Sequence, residues 1–304
     1  MHNPPTIDDY LQIPPHPLRV TGGRRTAGGV ARNSELPLVT VLTIVLNRQK
    51  TLPQTIASVL SQSYPNIEYV IVDGASTDGT LEVLKQFDDQ IDWWISEPDS
   101  GIADAVNKAI SHSHGEFISW MPSDDWADPN LIQFAVETLL MSGADFVFGD
   151  VTLYHGNTPE FRSQGEKDYA KFITFMAPRL SFPTMVMRRA CFQQVGLLST
   201  NYRIVNDYEW ALRCHLHGGR GVYDRRLHAH YSAGGVSDQA YLPRMLEELR
   251  AVRDNGLPLT KALVVHLYYC LRYMSKCLAK KLLPGSLYQE IMRLVRRGYS
   301  MPLH

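Results

Sequence analysis

Residues 38–80, LVTVLTIVLNRQKTLPQTIASVLSQSYPNIEYVIVDGASTDGT, decide the fold class. The run Leu38–Leu46 is β-branched and almost uninterruptedly apolar, as a strand buried on both faces requires, and polar Asn47-Arg48-Gln49-Lys50 ends it. From Thr51 to Ser63 the apolar positions Leu52, Ile56, Val59 and Leu60 recur at helical spacing until Tyr64-Pro65-Asn66 stops the helix. A second strand, Ile67–Val72, breaks at Asp73-Gly74. The rhythm continues with a helix from about Leu81 to Phe87, a strand at Ile91–Ser96, a helix at Gly101–His112 and a strand at Phe117–Met121. Ser123-Asp124-Asp125 sits at the end of that last strand. Such alternation with short connections predicts an α/β fold, a Rossmann-like and mostly parallel sheet flanked by helices on both sides. Ligands of these sheets bind beyond the carboxyl ends of the strands, where Asp73, Asp99 and Asp124/Asp125 fall.

A chain of 304 residues with 44% apolar and 20% charged side chains can bury a large core as one domain with an appendage, or as two small domains. The formal net charge of −1 argues against a nucleic-acid partner, but it is unevenly spread. Residues 257–304 carry eight Lys/Arg against Glu290 alone, so this tail is +7 and the rest −8. Residues 1–36, rich in Pro and then Gly with little periodicity, read as a flexible lead or an arm lying on the body. Cys191, Cys214, Cys270 and Cys277 form no CxxC pair and no zinc spacing, and no signal peptide precedes them. Reduced thiols in a cytoplasmic protein are expected. No apolar run approaches the length of a membrane helix.

Three segments, VTVLTIVLNRQKTLPQTIASVLSQSYPNIEYVIVDGASTDGTLEVL, SEPDSGIADAVNKAISHSHGEFISWMPSDDWADPN and NDYEWALR, occur in an order that resembles the family-2 glycosyltransferases of polysaccharide biosynthesis, which have the GT-A fold. The resemblance spans about residues 38–240. It implies a GT-A domain over 37–240, with a nucleotide-sugar half (37–150) and an acceptor half (151–240), followed by a helical basic extension (241–304). It also implies an inverting, metal-dependent enzyme that moves a sugar from a nucleotide sugar, most simply a UDP-sugar, to a hydroxyl of a glycan or lipid-linked acceptor in surface polysaccharide assembly.

Site residues follow from the same resemblance. Asp73 takes the place of the residue that reads the base, where a carboxylate can accept the N3 proton of uracil; as a bare turn residue it would only shape the loop, and Asp78 is read as a helix cap. Asn47, Asp99 and Asn107 match donor-pocket positions, with Asp99 or Ser100 alternatively an N-cap. Lys108 is a phosphate contact or a solvated lysine. Ser123-Asp124-Asp125 stands where the family binds Mn²⁺ or Mg²⁺, a hard cation that needs carboxylate and phosphate oxygens. Asp124 serves the donor as well. Pro122 and Leu46 depart from the family pattern. Asp128-Pro129 reads as a cap and first helical residue.

Asp207 stands at the start of a helix running to about His217, where the family places its general base. Glu209 is the reserve candidate, and a plain helix cap the alternative. His228 or His230 is placed to complete the metal site, His230 being taken as the ligand. The stretch Gly234-Gly235 with Ser237 suggests a lid. The segment from Leu259 onward reads as a basic amphipathic helix, packed on the body or lying on an anionic membrane at the cytoplasmic face. A non-catalytic scaffold derived from the fold is the alternative function. A nucleotidyltransferase lacks its glycine-rich loop here and a dehydrogenase its G-x-G-x-x-G.

Overall fold

The computed structural model describes residues 4–28, 35–156, 158–233 and 241–282. Strands β1 (Val20–Gly22), β2 (Val39–Val45), β3 (Ile67–Asp73), β4 (Trp93–Ser96), β5 (Phe117–Trp120), β6 (Trp126–Ala127), β7 (Phe146–His155), β8 (Thr158–Ser163), β9 (Val186–Arg188) and β10 (Gly221–Ser232) form one sheet. Its order is β1-β4-β3-β2-β5-β9-β7-β10-β6, with β8 paired to β7. The helices are α1 (Ile7–Leu11), α2 (Leu52–Leu60), α3 (Thr80–Gln86), α4 (Ile102–Ser111), α5 (Leu131–Ser142), α6 (Arg189–Val195), α7 (Asn206–Leu216), α8 (Tyr241–Asp254) and α9 (Leu259–Leu282).

The buried run predicted at 38–46 is β2. Its neighbours β3 and β5 run parallel to it, and β3 is parallel to β4. Six of its seven residues are buried because helices cover both faces. On one side Ala103, Ala109, Phe192 and Trp210 from α4, α6 and α7 close the core. On the other, Leu52, Ile56, Leu84 and Leu139 from α2, α3 and α5 do so. The parallel pattern is interrupted once in mid-sheet, where β9 lies antiparallel to both β5 and β7. A parallel β7–β10 pair follows it.

The described part of the arm lies on the body. Thr6 and Asp9 form a capping box that starts α1, and Tyr10 is buried against α4 with its hydroxyl on Asp104 (2.9 Å). β1 then pairs antiparallel with β4. Charge explains the docking, which a reading of Pro and Gly content as flexibility misses. Arg19 meets Glu97 (2.6 Å), Arg24 meets Asp92 (2.8 Å) and Arg25 meets Glu68 (3.3 Å), each acid being almost wholly buried.

At the other end, α8 packs on α7, and α9 on α8 through Ala262 and His266. Glu248 of α8 is the hub: His266 (3.1 Å), Arg244 (2.8 Å) and the Ala177 N–H (3.3 Å) all address its carboxylate. Burial opposes its ionisation, but these partners hold its pKa below the ordinary value. Among the described residues no helix is long and apolar enough to cross a membrane. The basic residues Arg293, Arg296 and Arg297 and the Gly234-Gly235-Ser237 lid lie outside the described residues.

Candidate active site

Because β2, β3, β4 and β5 are parallel, their carboxyl ends lie along one side of the sheet, where the ligand crevice of such folds forms. The loops after β2 and β3 are stitched together there by Asn47, whose Oδ1 accepts from the Thr77 N–H (2.9 Å) and whose own N–H donates to Ser76 Oγ (2.7 Å). Asn47 and Ala75 both have left-handed backbones, φ 54° and 60°. Asparagine tolerates this; for alanine it costs about 1 kcal/mol, held by the surrounding loop.

Asp73 ends β3 fully buried, and three donors fill its carboxylate: the Ser76 N–H (3.1 Å), Ser76 Oγ and Ser96 Oγ (2.6 Å). In this conformation it shapes the loop that lines the crevice. Asp99 is half-buried, which raises its pKa, and it accepts from the Gly101 N–H (2.9 Å). Gly74 makes room for it, since a Cβ there would stand 2.5 Å from Asp99 Oδ2. Asp78 accepts from the Thr80 and Gln49 N–H groups one residue ahead of Gly79, which holds the N-cap position expected of Asp78.

Two further expected donor contacts are, like Asp73, withdrawn from the surface. Asn107 is wholly buried, its amide pairing with the backbone of Leu198 in both directions (2.8 and 2.9 Å) and touching Tyr10 Oη. It joins α4 to a loop 91 residues away. Lys108 is largely buried and bonds Glu97 (3.1 Å) and Asp104 (3.3 Å). Burial would raise the Glu97 pKa, yet Arg19 and Lys108 bring it down to about 2.

The acidic loop after β5 divides its labour. Asp124 presents its side chain with 27% exposure and meets Arg48 at 3.4 Å. Asp125 is buried, its Oδ1 accepting from the Ser232 N–H (2.9 Å). Thr51, Thr55 and Ser232 bond the carbonyls of Ser123, Asp125 and Asp124, so the loop is pinned to α2 and β10. The expected set of Asp124, Asp125 and His230 does not come together. His230 instead bonds Asp128 (2.8 Å), as does His228 (2.9 Å). Asp128 therefore is not the N-cap, a place held by Asn130. These two imidazoles keep its carboxyl well below the usual range.

Asp207 lies in the first turn of α7, half-buried beside a cavity lined by Leu42, Trp120, Phe182, Leu198 and Trp210. Burial pushes its pKa up to about 6, against the lowering effects of the Tyr208 N–H and of Arg244. It has no ion-pair partner among the described residues. Glu209 is unsuited as base because it is buried and paired with Arg213 at 2.7 Å. That arginine in turn binds the carbonyls of Val195 and Leu197. Sequence reasoning missed Arg48, Ser96, Arg244 and Ser232, because single polar residues on separate elements leave no local pattern.

The glycosyl transferase family 2 profile matches residues 40–196. The putative teichuronic acid biosynthesis glycosyltransferase TuaG of Bacillus subtilis is 35% identical over 120 residues, 38% of this chain and 48% of TuaG. A PGL/p-HBAD biosynthesis glycosyltransferase of Mycobacterium tuberculosis is 25% identical over 237 residues, 75% of this chain and 90% of its own length. Against TuaG and an uncharacterized glycosyltransferase of Rickettsia typhi, the chain spans about half of the relative's length (48% and 58%). S. aureus TarS 1–349 in complex with UDP-GlcNAc superposes with a TM-score of 0.58 at 17% identity, covering 83% of this chain and 77% of that one. Mannosyltransferase PcManGT from Pyrobaculum calidifontis in complex with GDP-Man and Mn²⁺ gives 0.57 at 18%, covering 96% and 85%. A profile over half the chain and solved structures of the same architecture lead to one conclusion: this chain belongs to glycosyl transferase family 2 and has the GT-A fold.

Proposed function

We propose that the protein is an inverting glycosyltransferase that moves a sugar from a nucleotide sugar, a UDP-sugar in the simplest case, to a hydroxyl of a glycan or lipid-linked acceptor in surface polysaccharide assembly. One observation carries this reading: Asp207, at the start of α7 and without an ion-pair partner among the described residues, borders a small apolar cavity, and burial raises its pKa to about 6. A group poised this way takes a proton near neutral pH. Asp207 would remove the acceptor hydroxyl proton as that oxygen bonds to the anomeric carbon. The bond from that carbon to the diphosphate oxygen breaks, its electron pair leaving with the nucleoside diphosphate. A single displacement inverts the anomeric centre.

The donor would lie across the loops held by Asn47 and Asp73, with Asp99 beside Gly74. Asp124 fits a Mn²⁺ or Mg²⁺ ion as one exposed hard ligand, phosphate oxygens and water completing the shell, whereas buried Asp125 positions the loop. Bound there, the ion supplies positive charge against the leaving diphosphate. Relatives assigned to teichuronic acid and PGL/p-HBAD biosynthesis support the surface-glycan setting, and neighbours solved with UDP-GlcNAc or with GDP-Man and Mn²⁺ support the donor class and the metal. Peripheral membrane contact at the cytoplasmic face is supported by α9, which exposes Leu263, Val264, Leu267, Tyr268 and Leu271 in a chain whose tail is basic.

Isothermal titration of UDP, GDP and TDP, with and without Mn²⁺, tests the donor site. One diphosphate should bind with Mn²⁺, and Asp124→Asn should remove the metal dependence while Asp73→Ala removes binding. Absence of binding by all three, with and without metal, would favour the scaffold alternative.

A further inference from the structure

The geometry points to a second metal site, built by Asp128, His228 and His230, that takes a borderline transition cation such as Zn²⁺ and is separate from the oxygen site at Asp124. One ligand atom from each residue lies within 4.8 Å of the others. His228 Nδ1 is 2.9 Å from Asp128 Oδ2 and His230 Nε2 is 2.8 Å from Asp128 Oδ1. Two imidazole nitrogens and a carboxylate converge as three zinc ligands would. Their 2.8 and 2.9 Å spacings are those of hydrogen bonds, and small side-chain shifts open them to the roughly 3.3 Å edge set by zinc bonds of about 2.0–2.2 Å. Two nitrogen donors favour Zn²⁺ and its neighbours over Mg²⁺, which prefers an all-oxygen shell.

The rings are held in place before any ion arrives. His230 stacks on Trp126 at 5.0 Å with an interplanar angle of 15°, and Tyr154 meets it edge-on. His228 Nε2 is 2.9 Å from Thr152 Oγ1. Antiparallel pairing of Trp126 with His230, and the Asp128 N–H on the His228 carbonyl (3.1 Å), fix the three residues through the backbone. Without an ion, each imidazole donates its proximal N–H to Asp128. With one, each ring shifts its proton to the far nitrogen, so the near lone pair is free and the ring stays neutral. Thr152 then accepts where before it donated, a reversal that a hydroxyl allows, and it becomes the outer hydrogen bond that orients a metal-bound histidine. His230 Nδ1, which has no partner among the described residues, takes the other proton. Asp128 is 46% exposed, so the fourth position opens to water.

Such an ion would clip β6 to β10 two residues before Ser232, the residue that holds both Asp124 and Asp125. It is a structural ion tuned to the active-site loop, with no contact to donor or acceptor required. It stands or falls apart from the proposed activity.

The test uses the full chain, stripped with a chelator and free of nucleotide. Co²⁺ should bind with the intense visible absorption of a low-coordinate site, and Zn²⁺ should displace it at one equivalent. Asp128→Asn and His230→Gln should each weaken binding at least about tenfold, while Asp124→Asn leaves it unchanged. Zinc should also raise the Tm of the unsubstituted protein by mass action, a readout independent of whether the variants fold. No Co²⁺ band, no zinc-dependent Tm shift, retention of binding in His230→Gln, or its loss in Asp124→Asn would each overturn the assignment.

Discussion

Asp207→Asn makes the protein more stable where the proposed chemistry runs. The folded-state pKa is raised from 3.8 to about 6. The native state thus holds the proton more tightly than the unfolded chain, and ionising Asp207 weakens the fold. The penalty is absent below pH 3.8, grows as pH rises through about 6 and is complete above it. A shift of that size corresponds to roughly 3 kcal/mol on the ionised form, an upper figure because part of the side chain reaches solvent. Asparagine is neutral, nearly isosteric and still able to accept from the Tyr208 N–H, so it removes the penalty and keeps the contact. In a protein of this size the gain is a rise of about 5 °C in Tm near pH 8, shrinking to nothing near pH 4. Thermal unfolding of both proteins across that range reads it directly, with UDP binding as a check on the site. A variant that is equally or less stable near pH 8, or whose Tm difference ignores pH, would refute the burial argument and with it the poised base. Transfer should be lost in the same variant while donor binding persists.

Asn107→Ala should cost roughly 2–4 kcal/mol, because the N–H and carbonyl of Leu198 lose their buried partners; urea unfolding reads this, and nucleotide affinity of the folded protein should not change. Arg19→Ala leaves buried Glu97 with Lys108 and the His16 N–H (3.4 Å) only and should destabilise by about 2 kcal/mol or more, with faster proteolysis ahead of β2. Since the Glu97 pKa lies at about 2 rather than 4.5, that contribution is full above pH 4.5 and fades as pH falls toward 2, so the two melting curves should converge in acid. Sedimentation with vesicles containing anionic lipid should carry the protein down, and Leu267→Glu with Leu271→Glu should release it; equal pelleting with neutral vesicles would remove the charge argument.

What could be read from the chain depended on how far apart the interacting residues are. β2, β3 and the helix α2 between them follow from patterns a dozen residues long, and their bounds fall within a few residues of those expected. The place of Asp207 in the first turn of α7 was legible too, because the helix start leaves a local pattern. Asn107 was misread because its partner is 91 residues away, and Asp128 because the two histidines that claim it lie 100 and 102 residues on. Asp125 looks the same as Asp124 in a string of letters. The Ser232 N–H decides which of them faces inward. For the arm, Pro and Gly content left open a flexible lead or an arm lying on the body, and three arginines with buried acidic partners dock it.

The antiparallel strand β9 has a consequence for synthesis on the ribosome. It fills the slot between β5 and β7 but emerges about 70 residues after β5 and about 30 after β7 ends. Until Val186–Arg188 has been made, the nascent chain carries a finished run of parallel strands whose β5 edge has no neighbour, the kind of open edge on which chains pair with one another. A pause in translation between Asp150 and Val186 would prolong that exposure, whereas one after β9 has cleared the ribosome would let β9 cover the β5 edge, leaving only β10 to be added beside β7.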